Sequence, residues 1–318
     1  MPVKIAIITP GGDAPGMNAA IRAVVRSGLK EGYEIYGIYR GYQGLIDKDI
    51  KQLNSRSVSG IIHLGGTILK SSRCEEIKTV KGLQKALKTL EEFNINYLVV
   101  IGGDGSIKAA EKISKFIPAI CIPASIDNDV FGTDETIGFD TAIDTAVEAI
   151  DKIRDTATSF ERVFVVEVMG REHGFLALSC GIASGAEIVV IPELKYNLDK
   201  IAKKIIQDKL KGKTSEIIIF AEGAGNPQEF AIKLEAKTEI PTRVSSLGYI
   251  QRGGSPSARS RILASLFGEY AVELITKKQK NKVVVIQNNK VKSLDIKVVT
   301  NNEKQIDKHL LELIENLA

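Results

Sequence analysis

The stretch Tyr97-Leu-Val-Val-Ile-Gly-Gly-Asp-Gly-Ser106, with a helix-like segment over residues 107–115 after it, predicts the fold. An apolar run, a glycine turn and a helix, in that order, make up the repeating unit of a parallel α/β sheet. The glycines let backbone N–H groups approach an anion closely, and the N-terminus of the following helix adds partial positive charge. Asp104 would repel phosphate unless a cation lay between them, so the turn predicts a phosphate site that works with magnesium.

Two carboxylates follow a second apolar run. In Pro123-Ala-Ser-Ile-Asp-Asn-Asp129, Asp127 and Asp129 flank an amide shortly after a run that ends at Ile122. One carboxylate can take a proton from a hydroxyl while the other helps to hold a divalent cation, as a metal-assisted transfer requires. A plain polar turn explains the same residues, because Asp and Asn are favoured in turns. The glycine turn upstream favours the first interpretation.

A second glycine turn, Gly11-Gly-Asp-Ala-Pro-Gly-Met-Asn18, lies between a predicted strand over residues 3–9 and a predicted helix over residues 17–30. It matches neither the P-loop nor the dinucleotide fingerprint, because it lacks a Gly-Lys-Ser/Thr ending and its glycines are spaced differently. Two turns that contain Gly-Gly-Asp, together with one Asp-Asn-Asp, predict a nucleotide site.

The composition is typical of a soluble enzyme in a reducing cytosol. With 318 residues, 44% of them hydrophobic, the chain can bury a substantial core and form two domains. A net charge of +4 from 43 basic and 39 acidic residues, without a basic run that contains aromatics, argues against nucleic-acid binding. The three cysteines are far apart, which argues against a disulfide framework or a zinc cluster. No apolar segment has the length of a membrane span.

Short β-branched runs alternate with helical segments along the chain. Such alternation predicts parallel sheets covered by helices. The predicted strands cover residues 3–9, 34–39, 97–101, 119–122, 162–168, 188–191, 217–220 and 283–286.

The three turns, together with Met169-Gly-Arg171 and Leu247-Gly-Tyr-Ile-Gln-Arg-Gly-Gly254, closely resemble the motifs of the bacterial-type 6-phosphofructokinase family, in the family's order and spacing. The resemblance covers nearly the whole chain. It implies an α/β fold of two Rossmann-like three-layer α/β/α domains, with mainly parallel sheets and an active-site cleft between them. It also implies a larger ATP-binding domain of residues 1–138 and 253–302, a smaller sugar-phosphate-binding domain of residues 139–252, and a C-terminal helix of residues 303–318.

The resemblance implies magnesium-dependent transfer of a phosphoryl group from ATP to the 1-hydroxyl of D-fructose 6-phosphate, which yields fructose 1,6-bisphosphate and ADP in glycolysis. Asp127 would be the general base, and Arg171 would contact the transferring phosphate or the sugar. Asp104 and Asp129 would be the magnesium ligands. The ATP-binding positions would be Gly11, Arg73, Cys74, Gly103, Asp104, Gly105 and Ser106.

By the same resemblance, Arg162, Arg243 and Arg252 bind the 6-phosphate of the acceptor. Arginine suits this task because its planar fork meets two phosphate oxygens at once. In the family, Arg162 and Arg243 reach the site from a neighbouring subunit, which implies at least a dimer. The resemblance further implies a cytoplasmic homotetramer, built as a dimer of dimers. The other acceptor-binding positions would be Ser125, Asp127, Met169, Gly170, Arg171, Glu222 and Tyr249.

The donor can be predicted from two small residues. Family members that use pyrophosphate generally carry an acid in place of Gly105 and a lysine in place of Ala124. The acid blocks the space for the α-phosphate of a nucleotide, and the lysine holds the shorter donor. Both positions are small and neutral here, so the sequence favours ATP.

Four positions depart from the family pattern. Pro10 replaces a common serine and should have little effect, because proline is tolerated at a strand end. Ala124 adds a methyl group where a positive φ would be strained, and Ser125 replaces a threonine but keeps the hydroxyl. Tyr249 stands where the family normally has a histidine that contacts the 6-phosphate. Two alternatives therefore stay open: a kinase of another ketose phosphate, such as tagatose or sedoheptulose phosphate, or a weakly catalytic regulatory paralogue.

An effector site for ADP or phosphoenolpyruvate is typical of bacterial relatives. In it, Gly185 and Glu187 would hold magnesium while the cations bind the diphosphate. Lys211 occupies a position that is often arginine, so a point charge replaces a fork. The matching positions are Arg22, Arg26, Arg56, Arg154, Gly185, Glu187, Lys211 and Lys213. Basic residues on helices are more often solvated surface charges, and that interpretation remains the alternative.

Overall fold

The computed structural model describes residues 2–317, apart from the side chain of Glu315. The strands in this part of the chain are β1 Lys4–Ile8, β2 Glu34–Ile38, β3 Ile50–Leu53, β4 Tyr97–Gly102, β5 Ala119–Pro123, β6 Val163–Val168, β7 Ile188–Val190, β8 Glu216–Ala221, β9 Thr242–Ser246, β10 Lys282–Gln287 and β11 Lys290–Asp295. The α-helices are α1 Met17–Lys30, α2 Gly41–Asp47, α3 Val80–Glu92, α4 Asp104–Ile113, α5 Phe139–Phe160, α6 Phe175–Ser184, α7 Leu198–Leu210, α8 Pro227–Thr238, α9 Ala258–Thr276, α10 Ile296–Thr300 and α11 Lys308–Leu317.

The chain divides into two compact units. The first runs to Thr141 and takes up Arg252–Lys304 again, and the second consists of Ala142–Gln251 and the chain from Gln305 onwards. Helix α11 therefore belongs to the second unit. It begins at Lys308, later than the expected start at residue 303.

A seven-stranded sheet in the order β11-β10-β5-β4-β1-β2-β3 forms the centre of the first unit. Its five inner strands are parallel, and the two edge strands, β3 and β11, pair antiparallel with their neighbours. Ala6 and Ile8 belong to an apolar cluster formed with α2, α3, α4 and α10. Ile5 and Ile7 are equally buried and, by strand alternation, face the other side, where α1 and α9 cover the sheet.

The second unit has a parallel four-stranded sheet in the order β7-β8-β6-β9. Phe220 of β8 packs against Phe230 of α8, with ring centroids 5.2 Å apart and the rings tilted by 54°, and α7 packs on the same side through Ala202 and Ile205. Each fully buried large apolar side chain contributes about 1.5–3 kcal/mol. The inner strands, β6 and β8, are buried on both faces, as expected of a parallel sheet with helices on its two sides.

All eight predicted strands are present, each within one residue of its predicted bounds at either end. The α/β fold with mainly parallel sheets is therefore confirmed. Strands β3, β9 and β11 were not predicted. Among the helices of residues 2–317, none combines the length and apolar character needed to cross a membrane.

Candidate functional site

Three loops follow the carboxyl ends of β1, β4 and β5, which are neighbours in the first sheet. Gly102 at the end of β4 lies in register with Pro123 at the end of β5, and the Gly102 carbonyl accepts a hydrogen bond of 3.0 Å from the Ala124 N–H. This edge is where an open parallel α/β sheet binds ligands. The sequence places a glycine turn or a carboxylate loop after each of these strands, so the topology brings all three motifs together.

The two glycine turns, Gly11–Asn18 and Gly102–Ser106, touch through Ser106. The Ser106 hydroxyl donates to the Pro10 carbonyl over 2.9 Å, and a Cβ placed on Gly11 would lie 3.0 Å from the Ser106 hydroxyl oxygen. Gly11 has a φ of 87°, which favours glycine. The guanidinium of Arg252 lies against Gly12, where any Cβ would overlap it. An arginine and a glycine turn thus share one side of this edge.

Helix α4 begins at Asp104, three residues before the predicted helix. Its N-cap, Gly103, is extended, so the last residues of the predicted turn already form the first helical turn. A Cβ on Gly105 would meet no atom within 4 Å, which leaves open space beside the helix N-terminus. A Cβ on Gly103 would lie 3.3 Å from the Cβ of Ser125, so the loops that follow β4 and β5 are in contact.

The loop that carries Asp127 is held by its middle residue. Asn128 is buried and has a φ of 52°, a conformation that Asn tolerates better than most residues. Its amide donates to the Asp134 carbonyl over 3.1 Å, and its Oδ1 accepts from the Thr136 N–H over 3.0 Å. The backbone N–H of Asp127 donates to the Ser125 hydroxyl over 3.1 Å. Asp127 itself is only 2% exposed, so its carboxylate has a fixed, largely dry environment.

Ala124 does not adopt a positive φ, so the expected strain at this position is absent. The residue pairs with Ile137 in a parallel bridge, and its methyl group is buried. The replacement is therefore compatible with the loop.

The carboxylates of Asp104 and Asp129 both raise the pKa of Lys108. The ammonium of Lys108 pairs with Asp104 over 2.7 Å, and this hydrogen bond, with smaller effects from nearby carboxylates including Asp129, raises the pKa of Lys108. Within residues 2–317, no group of three or more His, Cys, Asp or Glu side chains is arranged to hold a metal ion. Two carboxylates nevertheless fit magnesium, because this ion is usually held by one or two carboxylates with water and substrate phosphates completing its shell.

Lys304 is a second cation, beside the loop that carries Asp127 and Asp129. Its ammonium donates to the Asp134 carbonyl over 3.2 Å. Burial lowers the pKa of Lys304 to about 8, against the opposing effect of Asp134, Asp129 and Glu135. The loop that presents Asp127 and Asp129 is thus flanked by Lys108 and Lys304, neither of which was predicted from the sequence.

Arg73 and Cys74 follow a segment that touches the Gly11–Asn18 turn. The Ser71 hydroxyl donates to the Gly11 carbonyl, and the Gly11 N–H donates to the Ser72 carbonyl over 3.5 Å. Arg73 is exposed, and Cys74 packs partly buried against the core. The arginine side chain is therefore available to a ligand at this edge.

In the second unit, the Met169-Gly-Arg motif follows β6. Gly170 has a φ of 140°, and a Cβ there would collide with the His173 carbonyl, so the turn requires glycine. The Arg171 N–H donates to the Glu222 carboxylate over 3.2 Å, which joins two of the predicted acceptor-binding residues. The Met169 N–H donates to the buried Gln251 side chain over 3.3 Å.

Arg162 directly precedes β6, and Arg243 is the second residue of β9, which pairs with β6 in parallel. Arg243 is exposed and pairs with Glu235 over 3.5 Å. Tyr249 is 81% exposed, and its hydroxyl has no hydrogen-bond partner among the described residues.

The family model for phosphofructokinase matches residues 4–275. The chain belongs to the phosphofructokinase family. A relative named ATP-dependent 6-phosphofructokinase from Clostridium botulinum (strain Hall) is 52% identical over 315 residues, which cover 99% of each chain. Another with the same name, from Bacillus pumilus, is 50% identical over 316 residues, again 99% of each. This identity makes the chain a phosphotransferase.

A solved structure supports the fold of this phosphofructokinase family member. The crystal structure of Pichia pastoris phosphofructokinase in the T-state matches with a TM-score of 0.90 and 35% identity. The match covers 100% of this chain and 37% of the Pichia chain, so the yeast chain is much longer.

Four of the residues matched to the family's effector site lie together in the second unit. Glu187 accepts from Arg154 over 3.4 Å and pairs with Lys213 over 2.9 Å, and Arg154 also donates to the carbonyls of Ser184 and Gly185. Lys211 pairs with Asp208 over 3.6 Å. Arg22 and Arg26 on α1, and the exposed Arg56 after β3, belong to the first unit.

Two positioning residues of this family member were missed from the sequence. Buried Asn18 holds the segment before Arg73, because its amide donates to the carbonyls of Leu64 and Gly65 and its Oδ1 accepts from the Ile68 N–H. The Tyr42 hydroxyl donates to the Ser106 carbonyl over 2.8 Å, and burial raises the pKa of Tyr42 well above its usual value. Only Asn18 lay within a motif that the sequence had marked.

Proposed function

We propose that the protein transfers a phosphoryl group from ATP to the 1-hydroxyl of fructose 6-phosphate, with Asp127 as the general base. The observation that carries this proposal is the contact between the N-terminus of α4 and the Asp127 loop, through Gly103 and Ser125. A phosphate-binding helix N-terminus then lies beside a carboxylate that can accept a proton. The names of the relatives from Clostridium botulinum and Bacillus pumilus support the same reaction.

Asp127 would accept the hydroxyl proton as the sugar oxygen attacks the terminal phosphoryl group. Because phosphoryl transfer depends mostly on positioning and charge neutralisation, the fixed loop around Asn128 supports this role. Arg73 and Arg252 would bind donor or acceptor phosphate at the first unit, and Arg171 would contact the transferring group. Each arginine supplies a fork of N–H donors that a single ammonium lacks.

Asp104 and Asp129 would hold magnesium, whose charge, when it is bound, offsets that of the donor phosphates. Their carboxylates are the hard oxygen ligands this ion prefers. Lys108, which pairs with Asp104 over 2.7 Å, would place a further positive charge near the phosphates.

The open space at Gly105 supports ATP rather than pyrophosphate. An acidic side chain at this position would extend into that space, next to the helix N-terminus that receives the phosphates. Gly105 leaves this space free for ATP, and Ala124 provides no positive charge to bind pyrophosphate.

Acceptor binding would rest on Arg162, Arg243, Arg252, Glu222 and Tyr249. The exposed positions of Arg243 and Tyr249 support recognition of a ligand that arrives from solvent. By family resemblance, Arg162 and Arg243 would serve a neighbouring subunit of a cytoplasmic homotetramer. The cluster of Arg154, Glu187 and Lys213 would bind an anionic effector, ADP or phosphoenolpyruvate, and so regulate the enzyme.

A coupled steady-state assay tests the proposal. The purified protein is given fructose 6-phosphate with Mg-ATP or Mg-pyrophosphate, and then Mg-ATP with tagatose 6-phosphate or sedoheptulose 7-phosphate. We expect turnover with ATP and the highest kcat/KM for fructose 6-phosphate. Turnover with pyrophosphate would overturn the donor assignment, and a higher kcat/KM for another ketose phosphate would overturn the acceptor assignment. No turnover with any pair would favour a regulatory paralogue.

A Gly105→Asp variant tests the donor assignment, with Gln84→Asp, at an exposed position of α3, as its control. The first change fills the space beside α4 with a negative charge, so the KM for ATP should rise while the control stays at the wild-type value. An unchanged KM for ATP in Gly105→Asp would show that the donor does not occupy this space.

A further inference from the structure

Helix α5 ends in a turn that places Phe160 and Arg162 side by side. The Arg162 N–H donates to the Ala157 carbonyl over 3.1 Å, and the Glu161 N–H donates to the Thr158 carbonyl over 3.4 Å. Glu161 has a φ of 50°. These two bonds and the left-handed residue between them form a Schellman motif, in which Phe160 is the C-cap and Arg162 is the first residue after the turn.

The Arg162 guanidinium lies over the ring of Phe160. Its central carbon is 4.6 Å from the ring centroid, well within the range of a cation–π contact. Phe160 is 60% exposed, so burial in a core does not explain the position of this aromatic residue. Among the described residues, the Arg162 side chain has no ion pair and no hydrogen bond, which leaves the ring as its partner.

Arg243, on the neighbouring strand, is held in a different way. Its guanidinium pairs with the Glu235 carboxylate and donates to the Thr242 carbonyl over 2.9 Å. A carboxylate neutralises the cation and occupies its donors, so it competes with a phosphate for them. A ring face orients the guanidinium but leaves its N–H edge unoccupied and its charge intact.

We propose that Phe160 is a positioning residue for phosphate binding by Arg162, and that it holds the guanidinium in place while leaving all of its donors available to the acceptor. This inference rests on the proposed role of Arg162 in acceptor binding. Phe160 touches no reacting atom; it reduces the orientational freedom that Arg162 would otherwise lose when the phosphate binds.

Steady-state kinetics of Phe160→Leu and Phe160→Tyr test this role. Leucine keeps an apolar side chain but removes the ring face, so the KM for fructose 6-phosphate should rise about two- to fivefold with kcat unchanged. Tyrosine keeps the face and should restore the wild-type KM. Phe116→Leu is the matched control, because Phe116 is another exposed phenylalanine, at 66%, and no cation lies over its ring among the described residues. Its KM should not change.

A double-mutant cycle separates positioning from a general structural effect. In an Arg162→Ala background, Phe160→Leu should have no further effect on KM, because the group that the ring positions is gone. An equal rise in both backgrounds, or a wild-type KM in Phe160→Leu alone, would overturn the inference. An unchanged KM in Arg162→Ala itself would also overturn it, and would place the failure in the proposed role of Arg162.

Discussion

The Asp127 loop of the first unit and the arginines of the second are held in opposite ways. Asp127 is 2% exposed, and its loop is fixed by the Asn128 side chain, which donates one hydrogen bond and accepts another. Arg243 is exposed and Arg162 is half-buried, and each is held by contacts at the surface. A group that takes a proton gains from fixed geometry in a dry environment, because misplacement by a fraction of an ångström slows the chemistry. Groups that capture an anion from solvent gain from exposure.

Replacing the fixed acid should have the largest effect. In Asp127→Ser the hydroxyl cannot accept the proton, so we expect kcat to fall by about 10²- to 10⁴-fold. Binding of Mg-ATP and fructose 6-phosphate, measured by calorimetry, should persist. Asp151→Ser, an exposed carboxylate on α5, serves as the control and should keep wild-type kcat. A wild-type kcat in Asp127→Ser would show that Asp127 is not the general base. The burial of its loop would then have no catalytic explanation.

Loosening the loop should have the next largest effect. Asn128→Ala removes both loop hydrogen bonds and places a less suitable residue at a positive φ, which should lower the free energy of unfolding by roughly 3 kcal/mol. Asn128→Gly loses the same hydrogen bonds but relieves the backbone strain. Denaturant unfolding of the three proteins therefore separates the two contributions. Equal stabilities of the alanine and glycine variants would show that the positive φ contributes little, and an unchanged stability in both would show that Asn128 does not hold the loop.

The inner strands and the glycine turns could be predicted because each is a local pattern. The three missed strands, β3, β9 and β11, all lie at sheet edges. In β9, Thr242-Arg-Val-Ser-Ser246 has one apolar residue among five, because an edge strand exposes much of its surface and needs no continuous apolar run. Edge position is a property of the assembled sheet, so the sequence pattern alone did not reveal these strands.

The positioning residues of the candidate site could not be predicted for a related reason. Tyr42 and Ser106 are joined across 64 residues, and no spacing rule links a tyrosine in one helix to the carbonyl of another. Phe160 lies only two residues from Arg162, yet their contact depends on the left-handed conformation of Glu161. The candidate catalytic and binding residues could be predicted from the sequence. The residues that position them could be identified only from the fold.

A buried carboxylate in the second unit gives a test by pH. Glu216 is 4% exposed, and burial, with nearby Glu187 and Asp208, raises its pKa from 4.5 to about 7, against the opposing lysines Lys213 and Lys204. The unfolded chain ionises this group first, so its contribution to stability is full below pH 4.5 and is lost as the pH rises to about 7. The loss should amount to about 3 kcal/mol.

Glu216→Gln should remove this pH dependence. The free energy of unfolding of the wild type, minus that of the variant, should decrease from pH 4.5 to 7 and then stay level. Glu229→Gln is the contrasting control, since a hydrogen bond from Lys233 lowers the pKa of Glu229 and reverses the sign of its effect. A pH-independent difference for Glu216→Gln would mean that burial does not raise the pKa of this carboxylate.

The smallest effect should come from the surface pair that holds Arg243. Glu235→Gln removes the charge that pairs with Arg243 but keeps an oxygen for the Thr242 N–H, which donates to Glu235 over 2.8 Å. Because exposed ion pairs contribute about 0.2–1 kcal/mol, releasing the guanidinium should lower the KM for fructose 6-phosphate about two- to fivefold at most. Glu229→Gln, six residues earlier on α8, controls for a general change of surface charge. A raised KM would mean that the carboxylate orients Arg243 as the ring orients Arg162, and the two arginines would then differ only in the chemistry of their support.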